Sequence, residues 1–353
     1  MSLILKFGAA TAILGVGTLI GLQVVHSNNY SPLQQNGFLA PFAGLIGVVG
    51  AGVSTPAPGT GPLDRTFTAK RVHLDKIVAQ VELLTGPPGP MRVQAWGNPD
   101  TMKVLQVRIV GEELYVRLDK HEEDAWFPWN LFNMWSAERK PADLKLRVTA
   151  PSGTPYEIEE MTGSIIAGDL DAPVSLEAHK VEARFGRVQR ANVSIAGSGR
   201  VVFGPIKEQL DIEVAGSGHF EAASASAAQV EIAGGGEVVL GHIAQGLDIE
   251  VAGSGDVVAQ SINGPLDIEI AGSGDVVVNS GTATSFSVGI AGSGDVTFKG
   301  HAMNPNVSIA GSGSVTVGSY SGHLEQDIMG SGDFIVLSKD APATPGTPPP
   351  PAH

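Results

Sequence analysis

Leu247-Asp-Ile-Glu-Val-Ala-Gly-Ser-Gly-Asp-Val257 is one copy of a unit that recurs down the C-terminal half of a 353-residue chain. Its Ala-Gly-Ser-Gly core begins at Ala196, Ala215, Ala233, Ala252, Ala271, Ala291 and Ala310, with Gly235 in place of the serine in the third copy, and Met329 takes the place of the alanine in the last. The steps between copies are 19, 18, 19, 19, 20, 19 and 19 residues. A fixed period of this length marks a stacked array.

The residues around the core say what is stacked. Ile195, Val214, Ile232, Val251, Ile270, Ile290, Ile309 and Ile328 precede it. Val201, Phe220, Val238, Val257, Val276, Val296, Val315 and Phe334 follow it at one fixed offset. Polar residues alternate with these apolar ones, which are mostly β-branched, so each flank reads as a strand with one buried face. The glycine-rich core reads as a turn that needs positive φ or close backbone approach. One such repeat cannot bury its apolar face alone, but a stack can. The sequence therefore predicts an all-β chain, a right-handed parallel β-helix of about 19 residues per coil. The continuous stack is expected from about Glu157 to Val336, with a degenerate core at Met161-Thr-Gly-Ser-Ile-Ile166 and a further coil near Leu176 to Val181.

The remainder divides by composition. Lys6 precedes an uncharged apolar stretch, Phe7 to Val25, which reads as an export signal or membrane anchor. A second apolar stretch, Phe38 to Val53, contains Pro41 and several glycines. Residues 1–62 are accordingly assigned to signal or anchor plus linker, and an exported location, periplasm or cell surface, is expected. Residues 63–150 form a strand-rich part, with strands expected at Ile77–Leu84, Met91–Trp96, Val104–Val110, Leu114–Leu118 and Leu144–Val148. A Trp-rich insertion at 124–136 reads first as a cap over an open coil end, and second as a docking element. Residues 151–338 carry the repeats, and 339–353 form a Pro-rich tail.

Composition limits function. The chain has no cysteine, which removes disulfides, thiolate metal sites and a cysteine nucleophile. A net charge of −14 makes nucleic acid a poor partner. Acidic residues fall in columns when the repeats are stacked. One column holds Glu213, Glu231, Glu250 and Glu269, and a second holds Asp211, Gln229, Asp248 and Asp267. A third holds Glu237, Asp256, Asp275, Asp295, Ser314 and Asp333. Like charges at about 5 Å repel, so such columns read as solvated surface or as contacts for cations. Asp256, Asp275 and Asp295 are the candidate cation contacts, weak because calcium wants about 6–8 oxygens. The serine column offers no nucleophile with a base in fixed register, since His219, His242, His301 and His323 scatter. No catalytic residue, cofactor or resident metal is assigned.

The repeat closely resembles those of the head GIN domain family of auto-transporter adhesins. Met91-Arg-Val-Gln-Ala-Trp-Gly-Asn-Pro-Asp100, Leu105 to Val116 and Leu144 to Pro151 resemble that family's lead-in, so the likeness covers about residues 66–338. The resemblance implies a β-helix in the cell envelope and no enzymatic activity. The leading expectation is a non-catalytic surface protein that binds a protein or glycan ligand, with membrane contact through its N-terminal segment. The alternatives are a polysaccharide-acting β-helix enzyme and a self-associating structural envelope protein.

Overall fold

The computed structural model describes residues 63–118 and 144–338. Alternation decides the architecture. Ile249, Val257 and Ile268 are fully buried while Asp248, Glu250 and Asp267 are exposed, so successive side chains take opposite faces. Each coil pairs in parallel with the next at equal repeat positions, as in Ile249 with Ile268 and Val257 with Val276. The chain is a β-solenoid of about 19 residues per turn over roughly 10 turns. Inside, equivalent residues stack on one another. Phe185 lies over its register partner Phe203 with ring centroids 4.5 Å apart and planes within 5°.

The turn explains its own sequence. Gly253, Gly272 and Gly292 carry φ of 137°, 145° and 142°. A Cβ on Gly272 would sit 2.0 Å from the carbonyl oxygen of Gly253, one coil below. Both the backbone conformation and the space demand glycine here. The second glycine of the core packs inward, and a Cβ on Gly274 would fall 2.1 Å from the Gly255 oxygen. Between them the serine N–H continues the ladder, with Ser273 donating to the Gly253 carbonyl at 2.8 Å.

The stack starts earlier than the repeat sequence suggests. Strands β1 (Leu63–Phe67), β2 (Arg71–Asp75), β3 (Val78–Gly86) and β4 (Met91–Trp96) come first. Helix α1 (Pro99–Val104), β5 (Leu105–Val110), β6 (Glu113–Leu118), β7 (Lys145–Pro151), β8 (Tyr156–Ala167) and β9 (Pro173–Phe185) follow. β2 and β3 form a coil on top of β8, and β8 lies on β9, all in parallel. β6 and β7 add in parallel to β2 and β3. Antiparallel β5 on β6, and antiparallel β4 on β7 with β1 on β4, then end the parallel ladder. The stack therefore begins at Arg71 rather than near Glu157. Neither β2 nor β3 contains a Gly-Ser-Gly core.

The degenerate core at Met161 is out of register by one residue. Ile165, not Ile166, pairs with Ala183 and points inward, while Ile166 is exposed. Register shifts flank Met161, and Glu160 sits at φ 47°, so an irregular residue displaces the frame. The short α1 was not expected. Asn98 accepts a hydrogen bond from the Thr101 N–H at 2.8 Å as its N-cap, with Pro99 in the first turn. In the final coil, exposed Gln326 replaces the buried Val307 of the coil below, which makes that end more polar than the interior. The expected signal, the second apolar stretch, the Trp-rich insertion and the Pro-rich tail lie outside the described residues.

Two substitutions test this account. Ile249→Asp puts an unpaired charge into the fully buried column and is expected to cost about 3–5 kcal/mol. Gly272→Ala is expected to cost about 1–3 kcal/mol from backbone strain, with the clash added. Thermal unfolding followed by circular dichroism reads both; unchanged midpoints would contradict the stacked register.

Candidate binding face

The stacked repeats build two outward faces, one on each side of the glycine corner. The first carries the paired columns. Register places Glu213, Glu231, Glu250 and Glu269 in one line, and Asp211, Gln229, Asp248 and Asp267 in the next. Seven carboxylates thus stand on four neighbouring coils, about 4.8 Å apart along the axis. The three basic side chains between Ala191 and Ser338 are engaged elsewhere. Arg200 lies 3.0 Å from Glu221, Lys207 lies 2.7 Å from Asp171, and Lys299 donates to Asn279 at 3.0 Å. Against those three bases stand 16 acids in the same stretch.

The grid pays for this arrangement in proton affinity. The Asp248 carboxyl is pushed above its ordinary value by desolvation and then by the charges of Asp267, Glu269 and Glu231. Glu250 is raised in the same way, by desolvation first and by Glu231, Glu269 and Asp248 after it.

The second face carries the third column, and it has a different logic. One carboxylate oxygen of Asp256 accepts the backbone N–H of Asp275 at 3.1 Å. Asp275 accepts the N–H of Asp295 at 2.9 Å, and Asp295 that of Ser314 at 2.7 Å. Each side chain supplies an acceptor to a backbone donor of the next coil at the turn. The Asp256 carboxyl is raised by desolvation, against the lowering effect of that same N–H. The three Asp residues therefore do meet in one column, as expected, but as backbone acceptors. Among the described residues no group of three or more His, Cys, Asp or Glu side chains has the geometry to hold a metal ion.

The scattered histidines sit in side-chain networks. His219 lies between Glu237 at 2.9 Å and Glu221 at 2.5 Å. His301 contacts Ser319 and Ser321, each at 2.9 Å. His242 and Ser261 are 2.7 Å apart because they occupy equal positions on adjacent coils. A denser titratable cluster escaped sequence reasoning. His73 is ringed by Glu159 at 3.3 Å, Glu113 at 3.8 Å and Glu157 at 4.0 Å, with the Tyr115 ring edge-on at 4.9 Å. The Tyr115 hydroxyl donates to buried Asp75, which also faces Arg117 at 3.6 Å. The cluster forms because β6, β2 and β8 lie side by side. The alternating polar positions of Arg71-Val-His-Leu-Asp75 are its one trace in the sequence.

The raised carboxyls fix the sign of a pH effect. A carboxyl whose folded value exceeds its unfolded value favours the native state fully below the unfolded value of about 4. That contribution is lost as pH rises through the folded value, so acidification from neutral pH toward the ordinary carboxylate value of about 4 should raise the melting midpoint at low salt. Asp171 and Glu208, lowered by hydrogen bonds from Lys207 and from Gln189 with Arg190, oppose this only at lower pH. Asp248→Asn with Glu250→Gln should stabilise at pH 7.5 by about 0.2–1 kcal/mol per relieved pair and flatten the pH response. Calcium and sodium chloride at equal ionic strength should act alike, through screening. A midpoint that falls as pH is lowered from neutral toward about 4 would contradict the charge argument.

A family model described as "Putative auto-transporter adhesin, head GIN domain" matches residues 79–260 and 241–340. Among curated proteins no match was found. Similar solved structures include a putative lipid binding protein from Parabacteroides distasonis ATCC 8503, at 17% identity and TM-score 0.42, covering 79% of this chain and 98% of that one. A putative adhesin from Bacteroides fragilis NCTC 9343 shows 15% identity and TM-score 0.35, covering 78% and 96%. The matched stretches span most of the repeats and their lead-in, and the chain belongs to the head GIN domain family.

Proposed function

We propose that this chain is a non-catalytic, adhesin-like protein of the cell envelope or surface, and that its acidic first face is the ligand-binding surface. The observation that carries this reading is the grid of seven carboxylates, none of which is paired with a basic side chain among the described residues. The Asp248 and Glu250 carboxyls, raised by desolvation and by their acidic neighbours, support this reading. A ligand with spaced cationic groups, on a protein or an amino-bearing glycan, would relieve that repulsion. The polysaccharide-enzyme alternative is less well supported, because the acids form repeated columns rather than one pair flanking a cleft. Export rests on Lys6 followed by the apolar stretch Phe7 to Val25, an export signal or membrane anchor that would place the solenoid outside the cytoplasm.

Two measurements test the reading. A reporter fused after Ser338 should be active outside the cytoplasm; activity confined to the cytoplasm would refute export. Beads coated with the full chain should be retained on oligolysine-modified surface at physiological salt and not on heparin-modified surface. Asp248→Asn, Glu250→Gln, Asp267→Asn and Glu269→Gln together should cut retention several-fold. Undiminished retention would remove the first face from the proposal.

A further inference from the structure

The second face has the makings of an interface with itself. Its outward residues form three parallel columns. The middle column is apolar: Val239, Val258 and Val277 stack in register, half-exposed, followed by Thr297 and Thr316. On one side runs the acidic column of Glu237, Asp256, Asp275 and Asp295. On the other side, two residues beyond the middle column on the same coils, stand Gln260, Asn279 and Lys299. The bond of Lys299 to Asn279 at 3.0 Å places these last two on one line. The stripe ends at Glu221, a buried carboxylate in the valine column that Arg200 and His219 hold down.

We infer that this face is a self-association surface that takes a second copy of the chain, the two solenoids side by side and pointing the same way. Symmetry selects the arrangement. A two-fold axis along the solenoid brings the faces together with the middle columns opposed, valine on valine. It also lays the acidic column of each copy over the amide and lysine column of the other, at the same coil. Asp256 then meets Gln260 of the second copy, Asp275 meets Asn279, and Asp295 meets Lys299, and each contact occurs twice. One carboxylate oxygen is used within the chain, and the other can accept from these donors. A two-fold axis across the solenoid would instead oppose acidic column to acidic column and repel. The parallel arrangement is therefore the one that the charges permit.

The contact is small. Five residues across and five coils along give a footprint of about 13 Å by 19 Å from strand rise and spacing. That falls below the roughly 1,200 Å² of a stable interface, so affinity is micromolar or weaker, and it matters for copies held at high local concentration. The inference does not depend on the ligand assigned to the first face.

Sedimentation of the purified full chain over a wide concentration range tests it. Wild type should show a reversible monomer–dimer equilibrium that weakens when Val239, Val258 and Val277 are all changed to Thr, which keeps their β-branched shape. Lys299→Glu should weaken the dimer about tenfold, by facing Asp295 with a like charge, and Asp295→Lys should do the same by facing Lys299. Mixing these two variants restores an attractive pair on both sides and should restore association toward wild type. Circular dichroism of each variant separates loss of pairing from loss of fold; should Asp295→Lys not fold, Asp275→Lys with Asn279→Glu replaces the pair. A wild type that stays monomeric, variants that dimerise as well as wild type, or a mixture no better than either variant alone would each overturn the inference.

Discussion

The approach of one glycine carbonyl to the α-carbon of the next coil's glycine governs the molecule. Where the Gly253 oxygen lies, a side chain on Gly272 would have to be, and the same holds at Gly292 over Gly272 and Gly311 over Gly292. Backbones can come this close at the corner only because no Cβ intervenes, and only at a positive φ that other residues rarely adopt. The corner pins the frame of each coil to the one before. Once pinned, every other position repeats: inward valines and isoleucines on their own kind, outward acids on theirs. The period of about 19 residues is the length of chain needed to return to that corner.

Repetition serves the interior and burdens the exterior. Stacking equal apolar side chains fills the core with little new shape to solve at each coil, as Ile249 on Ile268 and Val257 on Val276 show. Stacking equal carboxylates concentrates charge. The two faces handle this differently. On the second face the aspartates serve as acceptors for backbone donors of the following coil, so they are part of the fold. On the first face Asp248 and Glu250 crowd against Glu231, Asp267 and Glu269, and their proton affinity rises. A protein that keeps such a grid spends stability on surface, and this is why the functional reading rests there.

The fold was legible because its signal is redundant. Ile249, Val251 and Val257 each have counterparts on many coils, and all point inward as the alternation requires. The columns of acids followed from the same count. Legibility failed where the period is broken. The frame at Ile165 moved by one residue because of irregularities beside Met161 and a left-handed Glu160, which no spacing rule announces. The coil at Arg71–Gly86 lacks the glycine core, so its membership in the stack rests on pairing alone. The His73 cluster joins residues from three strands far apart in sequence, and the bonds from aspartate to backbone N–H depend on rotamers. Neither can be counted from a period.

Register is the claim on which both faces depend, and the absence of cysteine makes it directly measurable. Ala252 and Ala271 are exposed neighbours in the outward alanine column, and Ala291 lies one coil further. Adjacent strands place Cα atoms at about 4.8 Å, within the range of about 4.4–6.8 Å that a disulfide spans. Under mild oxidation, Ala252→Cys with Ala271→Cys should form an intramolecular disulfide, while Ala252→Cys with Ala291→Cys should stay reduced. Equal cross-linking of the two pairs, or cross-linking of the distant pair alone, would contradict the stacked register.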